Sequence, residues 1–280
     1  MNPRTLIAVV VGLVLVAFGG FYFALRPHAT DAILPPPVPP AQTATPSSAA
    51  APPVVVPPPP PPMATPASIE AEIALSEHAE LQALLKKSFT AEYDELIAVA
   101  VRRRNEGVSD RIFGQELAER FEAIMRGKLK YGVGASTPTI DKLAANEASL
   151  FHALGTEGAG LCLKMLGRGD TSATTMTPES VQQLMRLGTL YRFQAIAEGM
   201  PDANPVAALT ADEMRAFEGS LAREGLNFKD VSTGAYLDKG STEPGKPCLT
   251  LETLHLAIAR LAEGTRRKIY AGMFFLGRDK

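Results

Sequence analysis

The chain has 280 residues, and 28 Lys plus Arg against 30 Asp plus Glu leave a net charge of −2. A balance so near zero argues against a nucleic-acid partner, because phosphate binding needs a concentrated basic surface. The totals hide two unlike halves: residues 1–66 carry 17 of the 23 prolines, and residues 67–280 carry almost every charge.

Residues 1–4 read as a short cytoplasmic tail. Residues 5–25, TLIAVVVGLVLVAFGGFYFAL, hold neither a charge nor a proline. At about 1.5 Å per residue they make about 31 Å of helix, the thickness of a hydrocarbon core. Phe18, Phe21, Tyr22 and Phe23 cluster at one end, and Arg26 stops the run. A cleaved signal peptide has a shorter apolar core and a small-x-small cleavage site, which Ala24-Leu25-Arg26-Pro27 does not provide. The segment is therefore expected to be an uncleaved single-pass signal-anchor, with the lipid bilayer as its partner. Arg4 and Arg26 nearly balance across it, so the positive-inside rule decides little. The short tail most simply stays in the cytoplasm. The bulk of the chain then lies on the periplasmic (extracytoplasmic) side of the inner membrane.

Residues 26–66 form a Pro-rich linker, with 16 prolines between Pro27 and Pro66. Proline fixes φ and lacks an amide hydrogen, so neither a helix nor a sheet interior is expected. A disordered polyproline II spacer would reach up to about 120 Å at about 3.1 Å per residue. A ligand for an SH3-like groove would carry flanking Lys or Arg, and none follows Arg26 here until Lys86.

Past Pro66 the apolar residues recur at three and four, the period of amphipathic helices. This predicts an all-α, bundle-like soluble domain over 67–280, with helices near 67–87, 91–106, 110–131, 138–154, 157–166, 178–198, 211–223, 251–263 and 265–276. Residues 67–132 are charge-rich and narrow-faced, an expected helical arm; 133–280 should hold the main core. Its expected members are Ile140, Leu143, Leu150, Phe151, Leu154, Leu161, Leu163, Leu166, Leu184, Leu187, Leu190, Tyr191, Phe217, Leu221, Leu254, Leu256, Ile258 and Leu261. Thr65-Pro66, Thr137-Pro138 and Thr177-Pro178 each place a hydroxyl before a proline at a helix start. Thr210-Ala211-Asp212-Glu213 is a capping box. Glu-Gly recurs at Gly107, Gly199, Gly225 and Gly264, each expected to stop a helix. The intervals of 92, 26 and 39 residues are not a fixed repeat, so the pattern does not support a tetratricopeptide-like solenoid.

Residues 226–250 lack a helical period, and a loop of that length tends to be functional. A short hairpin near Val231 to Leu237 is conceivable from the pattern. Cys162 sits in an apolar helix and Cys248 ends the loop. In an oxidising compartment the two are expected to form a disulfide closing 248 − 162 = 86 residues.

Motifs for a Ser nucleophile, a zinc protease, a P-loop or a calcium loop are absent from the sequence. Glu252-x-x-His255 has the spacing of one half of a di-iron site, which requires a second copy; the chain has none, so no metal and no cofactor is expected. Gly155–Leu161 resembles, over seven residues, the Gly-Ala-x-Gly-Leu stretch of lytic transglycosylases. That family's Glu-Ser at the end of an upstream helix has no match, since Glu179-Ser180 lies downstream at a helix start. The candidate binding residues are His152, Glu157, Asp230 and Tyr236, near or in the irregular loop. The expected function is a non-enzymatic envelope protein that binds protein partners. The alternative is a cell-envelope hydrolase acting on peptidoglycan through acids such as Glu157 or Asp230. A third reading, a receptor for a small apolar ligand, requires a large pocket between helices.

Overall fold

The helical period is realised throughout the structure, a computed structural model that describes residues 63–165, 177–201, 206–233 and 245–276. Among them are eleven α-helices, one 3₁₀ segment and no strand. The helices are α1 (Pro66–Ala74), α2 (Ala79–Ser88), α3 (Thr90–Asn105), α4 (Asp110–Lys128), α5 (Thr137–Thr156), α6 (Ala159–Met165), α7 (Glu179–Gly199), α8 (Ala211–Arg223), α9 (Phe228–Thr233), α10 (Lys246–Ala259) and α11 (Glu263–Phe275); the 3₁₀ segment is Leu129–Gly134. The fold is all-α, as its sequence pattern implies. The expected membrane segment 5–25 and nearly all of the Pro-rich linker lie outside the described residues. Within the described residues no helix is long and apolar enough to cross a membrane.

Two of the four start signals work as the chemistry dictates. Thr65 Oγ1 accepts from the Ser68 amide at 3.2 Å, and Ser68 Oγ accepts from the Thr65 amide at 2.9 Å. Thr210 and Glu213 close their box in the same way, at 3.2 and 2.7 Å. At Thr137-Pro138 the helix does start, but its cap comes from another element. Glu198, near the end of α7, accepts from the Ser136 amide and hydroxyl at 3.1 and 2.8 Å and from the Thr139 hydroxyl at 2.6 Å. Thr177 is not the cap residue of α7, which starts at Glu179 after Pro178, and the Thr177 carbonyl accepts from the Gln182 side chain.

Only Gly107 and Gly225 are left-handed stops, with φ of +68° and +73°. Gly199 ends α7 in helical conformation, with Tyr131 against it, and Gly264 opens α11 rather than closing a helix. The single helix expected over 67–87 is two. Ser76 Oγ donates to the Ile73 carbonyl at 2.7 Å and accepts from the His78 amide at 3.1 Å, taking backbone groups that a continuing helix would need.

The 226–250 stretch is less irregular than its sequence suggests. Asn227 Oδ1 accepts from the Lys229 amide at 2.8 Å and starts α9. Val231 to Thr233 are therefore helical, which removes the first strand of the imagined hairpin. α10 begins at Lys246, with Pro247 in its first turn, well before the expected 251. Residues 234–244, Tyr236 among them, lie outside the described residues.

α5 is central, packed on α10 along one side and α7 along the other, while α7 and α11 both close on the 3₁₀ segment. Phe193 of α7 receives Phe89 and Phe121 edge-on, at 5.3 and 6.2 Å. One cluster of buried side chains thus runs from Ile69 to Phe275. Leu256, an expected core member, is 45% exposed. Leu249 and Leu256 are seven residues apart on the outer stripe of α10, whereas Leu251, Leu254, His255 and Ile258 are buried. The Cys162 and Cys248 sulfurs lie 2.10 Å apart, both fully buried, and bond α6 to the first turn of α10.

Candidate functional site

A feature shaped to receive another molecule lies among α1 to α4. Each of these helices carries its apolar residues three or four apart, so each has one narrow greasy stripe. α1 contributes Ile69 and Ile73, and α2 contributes Leu81 and Leu85. Tyr93, Leu96, Ile97 and Ala100 come from α3, with Phe113, Leu117 and Phe121 from α4. The stripes do not close on one another. Gly114 and Ala118 leave room on α4, and a half-open cleft of about 370 Å³ remains, with Arg186 and Thr189 of α7 also on its wall. That volume lies in the range of ligand pockets, about 300–1,000 Å³.

The polar groups around the cleft satisfy one another. Arg104 meets Glu72 at 2.7 Å and Arg186 meets Glu77 at 3.0 Å. On the inner side, Gln82 donates to the Tyr93 hydroxyl at 3.0 Å, and that hydroxyl donates to Glu70 at 2.9 Å. Lys86 donates to both Glu70 oxygens at 3.0 Å. The Lys86 ammonium, then the Tyr93 hydroxyl, hold the Glu70 carboxyl below its usual range. Burial pushes the Tyr93 hydroxyl upward. What the cleft offers an incoming group is therefore apolar surface ringed by exchangeable ion pairs. Leu75, in the α1–α2 turn, is 91% exposed, and Ile112, beside Phe113, is 47% exposed.

The residues singled out in sequence lie elsewhere. His152, on the last turns of α5, is exposed and pairs through Nδ1 with Glu252 of α10 at 3.1 Å. Glu157, which closes α5, accepts from the Ser180 hydroxyl at 2.7 Å. These two share one end of α5. Asp230 is on α9, which packs against α8, and Tyr236 is outside the described residues. Glu252 and His255 do not share a site: Glu252 reaches outward to His152, and His255 points into the core. Among the described residues no group of three His, Cys, Asp or Glu is placed to hold a metal.

Compared with known proteins, the chain matches no family model, no curated protein and no solved structure.

The cleft's chemistry follows from its lining. Among the described lining residues Glu72 is the one carboxylate, and it is tied to Arg104. Glycoside hydrolysis needs two carboxyl groups facing each other, about 5–9.5 Å apart. Sequence reasoning missed the cleft, although the Phe113, Leu117, Phe121 stripe with Gly114 and Ala118 beside it was the available signal.

Proposed function

We propose that this chain is a membrane-anchored, single-pass envelope protein whose exported helical domain binds a protein partner, and that bulky apolar side chains of the partner enter the α1–α4 cleft. The cleft is the observation that carries the reading. Its apolar interior, its rim of paired charges and the exposed Leu75 and Ile112 on the bordering elements match an interface core with a polar rim. A half-open shape favours an inserted side chain over an enclosed small molecule. Export is supported by the bonded cysteines, since an oxidising compartment is where such a pair persists. The uncharged run 5–25 supports the anchor, and the proline content of 26–66 supports a spacer carrying the domain away from the inner membrane on its periplasmic side.

The test is in-cell crosslinking of the anchored protein, read by mass spectrometry, with Gly114→Leu as the blocking variant. A Cβ at Gly114 meets nothing within 4 Å, so a leucine there projects into free space at the cleft while improving helix propensity. Partner crosslinks should fall at least tenfold in Gly114→Leu, with the unfolding midpoint no lower. Recovery of peptidoglycan fragments alone would overturn the protein-partner reading in favour of the hydrolase. Equal crosslinking in the variant would remove the cleft.

A further inference from the structure

His255 lies in the second half of α10 and is 1% exposed. Its ring sits 5.6 Å from Phe151 of α5, 5.6 Å from Tyr270 and 6.2 Å from Phe274 of α11, nearly parallel to the last two. Among the described residues neither ring nitrogen has a hydrogen-bond partner. An unpaired buried polar group is costly, and a protonated imidazole there would be far costlier.

The charged groups facing this seam are committed to one another. On α5, Asp141 takes both arms of Arg266 from α11, at 2.9 and 2.8 Å. Glu147 is buried and ion-paired with Arg192 of α7, and His152 pairs with Glu252 of α10 itself. The Tyr270 hydroxyl donates to the His255 carbonyl at 2.9 Å, not to its ring. From α8, Ser220 reaches the Ala257 carbonyl, Glu213 holds Lys268 of α11, and Glu224 pairs with Arg260. A proton arriving on His255 therefore finds no counter-ion waiting among the described residues, and release of the ring into water is the cheaper outcome. The first turn of α10 is held differently. It is bonded to α6 through Cys248, and Gly245 packs backbone to backbone on Gly155, where a Cβ would meet the Gly155 oxygen at 2.1 Å.

We propose that the seam of α5 with α10 and α11 is an acid-sensitive latch, in which protonation of His255 frees the second half of α10 and α11 while the cysteine bridge keeps the first turn of α10 in place. Burial holds the ring near 3 against an ordinary 6.5. The closed state is thus favoured above about pH 6.5, and it loses ground as pH falls toward 3. Linkage gives an opening equilibrium about 25-fold larger at pH 5 than at pH 7.

Hydrogen exchange on the full chain at pH 7 and pH 5, corrected for intrinsic rates, reads this directly. Protection in 255–259 and α11 should fall about 25-fold while α1 to α4 keep theirs. His255→Leu, close in volume and unable to ionise, should abolish the difference. Should that variant fold poorly, histidine-selective NMR on the natural chain decides, because the His255 ring of the closed state must remain uncharged at pH 5. An even loss of protection across all helices, no loss by pH 5, a persisting response in His255→Leu, or a charged His255 in the closed state would each overturn the latch.

Discussion

Removing the bridge between Cys162 and Cys248 is the most quantitative perturbation the fold offers. The bond closes 86 residues. In the chain-entropy treatment such a loop restricts the unfolded chain by about 15 cal/mol/K, or about 4.5 kcal/mol at 25 °C. Cys162→Ala with Cys248→Ala should lose most of that, because both sulfurs are fully buried and alanine adds no bulk. For a domain of this size each kcal/mol moves the midpoint by about 2–4 °C, so Tm should fall by roughly 9–18 °C. Urea unfolding followed by circular dichroism measures the loss, and the slope should rise as the unlinked chain exposes more surface. The natural chain in excess reductant should converge on the double variant. Thiol counting on the oxidised, denatured chain should find none. A loss below about 1 kcal/mol, or two reactive thiols, would refute both the bond and the argument for an oxidising compartment.

Three further outcomes are open to measurement. Glu198→Gln replaces the charged cap on α5, where burial resists the carboxylate but the Thr139 and Ser136 donors win and lower its pKa; stability should drop by about 1–2 kcal/mol in thermal unfolding. Glu213 is lowered chiefly by Lys268, then by the Thr210 amide. Its contribution is present above the ordinary carboxylate range and lost as pH falls through the lowered value, so Glu213→Gln should flatten the acid limb of a stability–pH curve by about 1 kcal/mol. Deleting residues 35–62 should leave the unfolding midpoint unchanged and abolish partner crosslinking, because about 87 Å of contour is removed at about 3.1 Å per residue.

The fold class, most helix positions and the cysteine pairing were legible because each rests on local chemistry: a 3.6-residue period, a capping hydroxyl, two thiols. The cleft was not, and the reason is visible in α1 to α4. Their charge density reads as a solvated arm, yet many of those charges clasp helix to helix, as in Arg103 with Glu116, Arg120 with Glu95, Lys86 with Glu70 and Arg104 with Glu72. Long side chains that cross between helices with their heads in water look the same in sequence as long side chains that touch nothing. His255 was obscure for a related cause. A Glu and a His three apart stand about 60° apart around a helix, and on α10 the boundary between core and solvent runs between them.

The four Glu-Gly pairs sharpen the same point into a test. At Gly199 a Cβ would fall 1.8 Å from the Tyr131 carbonyl oxygen and 2.8 Å from its carbon. Backbone at that distance cannot yield without parting α7 from the 3₁₀ segment, one of the more extensive contacts in the fold. Gly199→Ala should therefore cost about 3 kcal/mol or more. Gly264 stands in the first turn of α11 with nothing within 4 Å of the same position. There alanine removes unfolded-state freedom without a clash and should stabilise by about 0.4–1 kcal/mol. The two substitutions share dipeptide context and chemistry, so a propensity argument gives them one sign, and packing gives them opposite signs. Urea midpoints moving in the same direction would mean that the close approach of α7 to Tyr131 is wrong, and with it the placement of the Glu198 cap on α5.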